Sequence, residues 1–91
     1  MVIWKYEIPI QDFFEIEMPK DSEVLCVQVQ GGKPCIWVRV IDPGSLTEKK
    51  AFAIVGTGQG FNDNEYFYVG TFQQLDGYLV WHLFEDVCNY V

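Results

Sequence analysis

"VLCVQVQGGKPCIWVRVI", residues 24–41, decides the fold. Two runs rich in β-branched residues flank Gly31-Gly32. A two-residue type I′ turn needs positive φ at both central positions, and glycine adopts it without a steric penalty. Folding the stretch at that turn sets Gln30 opposite Lys33 and Cys26 opposite Trp37. Leu25, Val27 and Val29 then share a face with Ile36, Val38 and Val40, a purely aliphatic set predicted to be buried. Cys26, Gln28, Cys35, Trp37 and Arg39 collect on the other face. A slip of one residue would destroy this agreement between the strands, so the pattern supports the turn. Cys26 and Cys35 become diagonal neighbours, with Cα atoms roughly 7–8 Å apart. That is too far for an unstrained disulfide.

The same reading extends outward. Val2, Trp4, Tyr6, Ile8 and Ile10 alternate with Lys5 and Glu7, which predicts a half-buried strand ended by Pro9. Phe14, Ile16 and Met18 alternate with Glu15 and Glu17 before a turn at residues 19–23. "DPGSLTEKK", residues 42–50, reads as a loop opened by a proline turn, with at most one helical turn over Leu46 to Lys50. "AFAIV", residues 51–55, reads as a short strand. Asp76-Gly77 is a second hairpin signal. It pairs Phe72 with Trp81 and Thr71 with His82. The expected fold is all-β: a single domain over residues 1–91, an antiparallel seven-stranded meander closing into a small sandwich or barrel. Little or no helix is expected, and residues 86–91 form a short tail.

Composition narrows the function. Of the 91 residues, 49% are hydrophobic and 16% aromatic, enough for a folded core. Thirteen acidic against 6 basic residues give a net charge of −7, which argues against direct nucleic-acid binding through phosphates. No apolar run approaches the roughly 18 residues of a membrane helix. The start of the chain lacks a signal-peptide pattern, and no membrane association is expected. The three cysteines, Cys26, Cys35 and Cys88, are an odd count without metal-ligand spacing, which favours free thiols and no metal site.

Two places hold candidate chemistry. "VGTGQGFNDNEY", residues 55–66, contains the G-x-G of Gly56, Thr57 and Gly58. No lysine follows as in a P-loop, and no helix pattern follows as in a dinucleotide fingerprint. The stretch is a strand-to-strand turn first, and a ligand or anion contact second. Any anion there needs countercharge from elsewhere, with Arg39 as the candidate. His82, the sole histidine, sits opposite Thr71, its obvious hydrogen-bond partner. The second place is the mixed hairpin face. Trp37 beside Arg39 and Gln28 suits a partner interface, a stacking platform, or a second small core layer that covers the tryptophan. The carboxylates Glu15, Glu17, Asp42, Asp63, Glu65, Glu85 and Asp86 read as solvated charge, unpaired as acid and base. No catalytic constellation and no cofactor motif emerges, so an enzyme is the least favoured class.

"IWKYEIPIQD", "VLCVQVQGGKPCIWV", "VGTG" and "YVGTFQQLDGYLVWHLFE", spread from Ile3 to Glu85, resemble a family of small proteins from tailed bacteriophages and prophages. The resemblance implies a setting, phage infection of bacteria, and no mechanism. In that setting a small protein without catalytic motifs is expected to act by occupancy in the cytoplasm of the infected bacterial host. The first expectation is a counter-defence homo-oligomer that sequesters a nucleotide-like immune signal or blocks a host immune protein. One alternative is an acidic inhibitor that mimics DNA against a host nucleic-acid-binding protein. Another is a minor virion or assembly protein.

Overall fold

The computed structural model describes residues 1–87. Seven strands form: β1 (Val2–Glu7), β2 (Phe13–Pro19), β3 (Glu23–Gln30), β4 (Lys33–Val40), β5 (Thr47–Gly56), β6 (Tyr66–Gln74) and β7 (Leu79–Asp86). They make two antiparallel sheets, β1-β4-β3 and β2-β5-β7-β6, packed as a small sandwich. The strand order is not a meander. Only β3–β4 and β6–β7 are neighbours joined by tight turns; β1–β4, β2–β5 and β5–β7 pair across intervening chain. Local turn signals specify hairpins and carry no information about which hairpin edge the remaining strands join.

Both tight turns form as the glycines dictate. Gly31 and Gly32 have φ of 58° and 80°, and Gln30 pairs with Lys33. Asp76 and Gly77 have φ of 53° and 91°, and Tyr78 N–H donates to Leu75 O at 3.0 Å. Cys26 and Cys35 are free thiols. Cys88 lies outside the described residues, as does most of the expected tail; β7 itself runs through Asp86.

The core is the apolar space between the sheets. Val27, Ile36, Val38 and Val40 of the smaller sheet meet Phe14, Met18, Phe52, Ile54, Phe72 and Leu83 of the larger one. Leu25 and Val29 are not part of it, at 44% and 38% exposed. A β-bulge falls between Val24 and Cys26, so Leu25 is the extra residue and Val24 takes the place opposite Val38. Val29 sits near the hairpin tip, lining a cleft with Gln73, Leu75 and Leu79. The sheets approach closely where β6 crosses β3. A Cβ added to Gly70 would lie 2.8 Å from Val27 Cγ1, so only glycine fits without displacement.

The charged stretch Thr47–Lys50 continues β5, where a loop or helical turn was expected. Pairing Ile16 with Lys50 and Met18 with Glu48 puts both charged residues on the inner face. Lys50 is buried, and its Nζ lies 3.7 Å from Glu85 Oε1. An amphipathic lysine stem packs like a hydrophobe while its head meets a carboxylate. Glu85 is therefore not solvated charge; its side chain is only 13% exposed. Burial also raises the Tyr6 phenol above its ordinary value. No helix among the described residues is long and apolar enough to cross a membrane.

Candidate functional site

Alternation on the larger sheet turns Ile54, Leu83 and Phe72 inward, so Val55, His82 and Thr71 point outward in one row. The next row holds Ala53, Phe84 and Tyr68. The loop after β5 folds over this surface and makes a pocket of about 380 Å³. Its wall is Val55, Phe61, Tyr68 and Phe84, and its rim is Gly56 to Gln59, Asp63 and His82. Volumes of this order suit small ligands.

The aromatic wall is a packed cluster. Phe61 sits 5.0 Å from both Tyr66 and Phe84, and Tyr68 meets Phe84 edge-on at 5.6 Å. Tilted and edge-to-face rings are the favoured arrangement for such pairs. A bulge between Tyr68 and Gly70 makes this possible. Without it Phe84 would face Val69, and Tyr68 would turn to the inner side.

The polar side of the pocket is a chain of four groups. Thr57 Oγ1 lies 2.7 Å from His82 Nε2, and Thr71 Oγ1 lies 2.8 Å from His82 Nδ1. Tyr68 Oη and Thr71 Oγ1 are 2.5 Å apart. In a neutral imidazole one nitrogen donates and the other accepts, while a hydroxyl does either. The chain therefore has two self-consistent orders. In one, Tyr68 donates to Thr71, Thr71 to Nδ1, and Nε2–H to Thr57, leaving the Thr57 proton free. In the other, Thr57 donates to Nε2, Nδ1–H to Thr71, and Thr71 to Tyr68, leaving the Tyr68 proton free. One spare donor is always presented, at one end or the other of a chain whose two ends both line the pocket.

The glycine loop is a turn. Gln59 N–H donates to Gly56 O at 3.1 Å, and Gly58 between them has φ of 86°. Three of the amides an anion nest could use are already engaged, Gln59 N–H among them. Gly56 N–H donates to Gln59 Oε1 at 3.0 Å, and Thr57 N–H points to Val80 O at 3.4 Å. Arg39 cannot serve as countercharge. It lies on β4 between the buried Val38 and Val40, so it faces away from the core on the opposite side of the sandwich.

Of the expected site residues, Gly56, Thr57, Gly58 and His82 come together at this pocket, with Thr71 directly behind His82. Gln28, Trp37 and Arg39 share the outer face of the smaller sheet and do not line it. Among the described residues all seven strands belong to the two sheets and no second layer of strands covers the half-buried Trp37; its strand neighbours are Lys5 and Cys26. Phe61, Tyr68 and Phe84 are pocket residues that sequence reasoning did not single out, and Asp63, read there as solvated charge, sits on the pocket rim. The aromatic density of residues 61–68 is a signal for Phe61 and Tyr68; Phe84 has no such local signal. Among the described residues no group of three metal-ligating side chains occurs.

No curated protein and no solved structure matches the chain. A family model matches residues 1–90, and the chain belongs to that family, described as Domain of unknown function (DUF7352).

Proposed function

We propose that this protein acts by binding a small molecule in the pocket on the outer face of the larger sheet, without turning it over. The observation that carries this reading is the joining of an aromatic wall to a preorganised hydroxyl–imidazole chain in one concave site. Such sites are the usual form of ligand pockets: mostly apolar, with a few polar groups that fix orientation.

The Thr57–His82 contact has the shape of a nucleophile and its base. The third member is a threonine hydroxyl, Thr71, where hydrolases place a carboxylate that stabilises the imidazolium. The amides of Gly56, Thr57 and Gln59 are tied within the turn or to Val80, and so do not supply a free oxyanion hole. These two departures favour binding over acyl transfer.

The likeness to tailed-phage proteins supports a setting in the infected bacterial cytoplasm. There, a binder present in many copies counters defence by holding a host signal molecule. Self-association belongs to the same reading. Strand β1 pairs on one side only and leaves Val2, Ile3 and Trp4 partly exposed, an edge suited to a second copy.

The test is native mass spectrometry of protein purified from infected cells, followed by denaturation and analysis of what is released. An intact small molecule, lost in a Phe84→Ala variant of unchanged fold, supports the reading. Release of a cleaved product, or binding unaffected by Phe84→Ala, overturns it. Light scattering that gives only the 10.5 kDa monomer at tens of micromolar overturns the self-association.

A further inference from the structure

Resting on the binding reading above, we infer the class of ligand: an uncharged planar heteroaromatic ring with both donor and acceptor edges, with any phosphate it carries left outside the pocket. The argument has three parts.

The first is charge. The lining residues include no lysine or arginine, and one of them, Asp63, is a carboxylate. A phosphate entering there meets repulsion from Asp63 and no cation. The second is the backbone. Glycine-rich loops bind phosphate through free, convergent amides. Here Gly56 N–H is held by the Gln59 side chain, Gln59 N–H by Gly56 O, and Thr57 N–H is directed at Val80 O. A phosphate would have to break the turn to recruit them.

The third part is positive. Phe61, Phe84 and Tyr68 offer aromatic surface, on which a flat ring stacks irrespective of its detailed identity. At the polar end, Thr57 and Tyr68 are the two ends of the hydroxyl–imidazole chain. The chain always has one outward proton and lone pairs at both ends. It therefore answers a ligand that donates at one position and accepts at another, and it can reverse to match either sense. A purely acceptor group such as the dianionic phosphate of a monoester uses only one of these contacts. A nucleobase or a similar heterocycle uses the stacking surface and both ends.

The experiment is isothermal titration of the full chain with four nucleosides, their 5′-monophosphates and inorganic phosphate. The expected result is binding of at least one nucleoside, no tighter binding of its monophosphate, and no heat from inorganic phosphate. Thr57→Val and Tyr68→Phe should each weaken that nucleoside several-fold. Thr71→Val, which breaks the chain without touching the ligand, should weaken it too. Asp63→Asn should improve the monophosphate relative to the nucleoside. A monophosphate that binds tenfold or more tightly than its nucleoside overturns the inference while leaving the binding function standing. If no nucleoside binds, yet purified protein releases a different small molecule whose loss follows Phe84→Ala, the ligand class is wrong and the function survives. If nothing binds and nothing is released, both fall.

Discussion

The outer face of the smaller sheet gathers Trp37, Arg39, Gln28 and two thiols from neighbouring positions of one hairpin. The outer face of the larger sheet gathers Thr57, Thr71, Tyr68, His82 and Phe84 from three separate strands or their ends. The first set draws the eye in the sequence because its residues lie close together and have hot-spot chemistry. In the fold it remains a sheet surface whose polar groups meet at the periphery, as in Lys5 Nζ donating to Gln30 Oε1 at 2.6 Å. The second set is scattered in the sequence, and a loop folded over it makes it concave. Residue type alone does not make a site; convergence does, and here convergence comes from nonlocal pairing of β5 with β7.

The contrast can be broken most violently through what both faces share. Phe52 is 1% exposed and stacks on Phe14 at 5.2 Å beneath the larger sheet. Phe52→Ala should cost about 3–5 kcal/mol, most of the stability of a small domain, with both faces lost together in urea titration. Gly70→Ala should come next, at about 1–3 kcal/mol, because its new methyl meets the stiff, buried Val27. The measurement is the shift in denaturation midpoint, and relief by the double variant with Val27→Ala would locate the clash. Gly58→Ala separates turn from ligand contact. Its Cβ meets nothing within 4 Å, so only the positive φ is at stake, and the loss should be about 1 kcal/mol. Ligand binding that falls while the melting temperature holds would show a direct contact instead. The smallest effect belongs to the other face. Lys33→Ala removes an ion pair of 3.9 Å whose partners are 67% and 60% exposed, and should change stability by less than about 0.5 kcal/mol. Trp37→Ala and Arg39→Ala should leave ligand affinity unchanged; a loss would place the binding surface on the smaller sheet.

Much of the fold was legible where it depended on chain neighbours. Gly31-Gly32 and Asp76-Gly77 set two registers that hold in the structure, and the second one aligned His82 with Thr71. Legibility stopped at the bulges. The extra residue at Leu25 removes it from the core, and the one at Val69 brings Tyr68 to face Phe84. Neither bulge is marked by a glycine at the inserted position, so period-two counting passes straight through both. Lys50 was hidden for a different reason. A charge in sequence reads as solvent contact until its partner, Glu85, is seen across the sheet. The Thr57–His82 contact spans 25 residues and could be foreseen from neither turn.

The strand order also has a consequence in time. β7 lies between β5 and β6 in the larger sheet, yet it is the last strand described along the chain. During synthesis β5 emerges without its central neighbour and must wait for residues 79–86 to leave the ribosome. The β3–β4 hairpin needs no such delay and closes on the microsecond scale typical of hairpins, on the order of 1–10 μs. Domains dominated by distant strand pairing fold in roughly milliseconds to seconds. His82 and Phe84 ride on that last strand, so no partly made chain holds the pocket. The pocket therefore appears all at once, with completion of the larger sheet, and a product truncated before residue 79 has none.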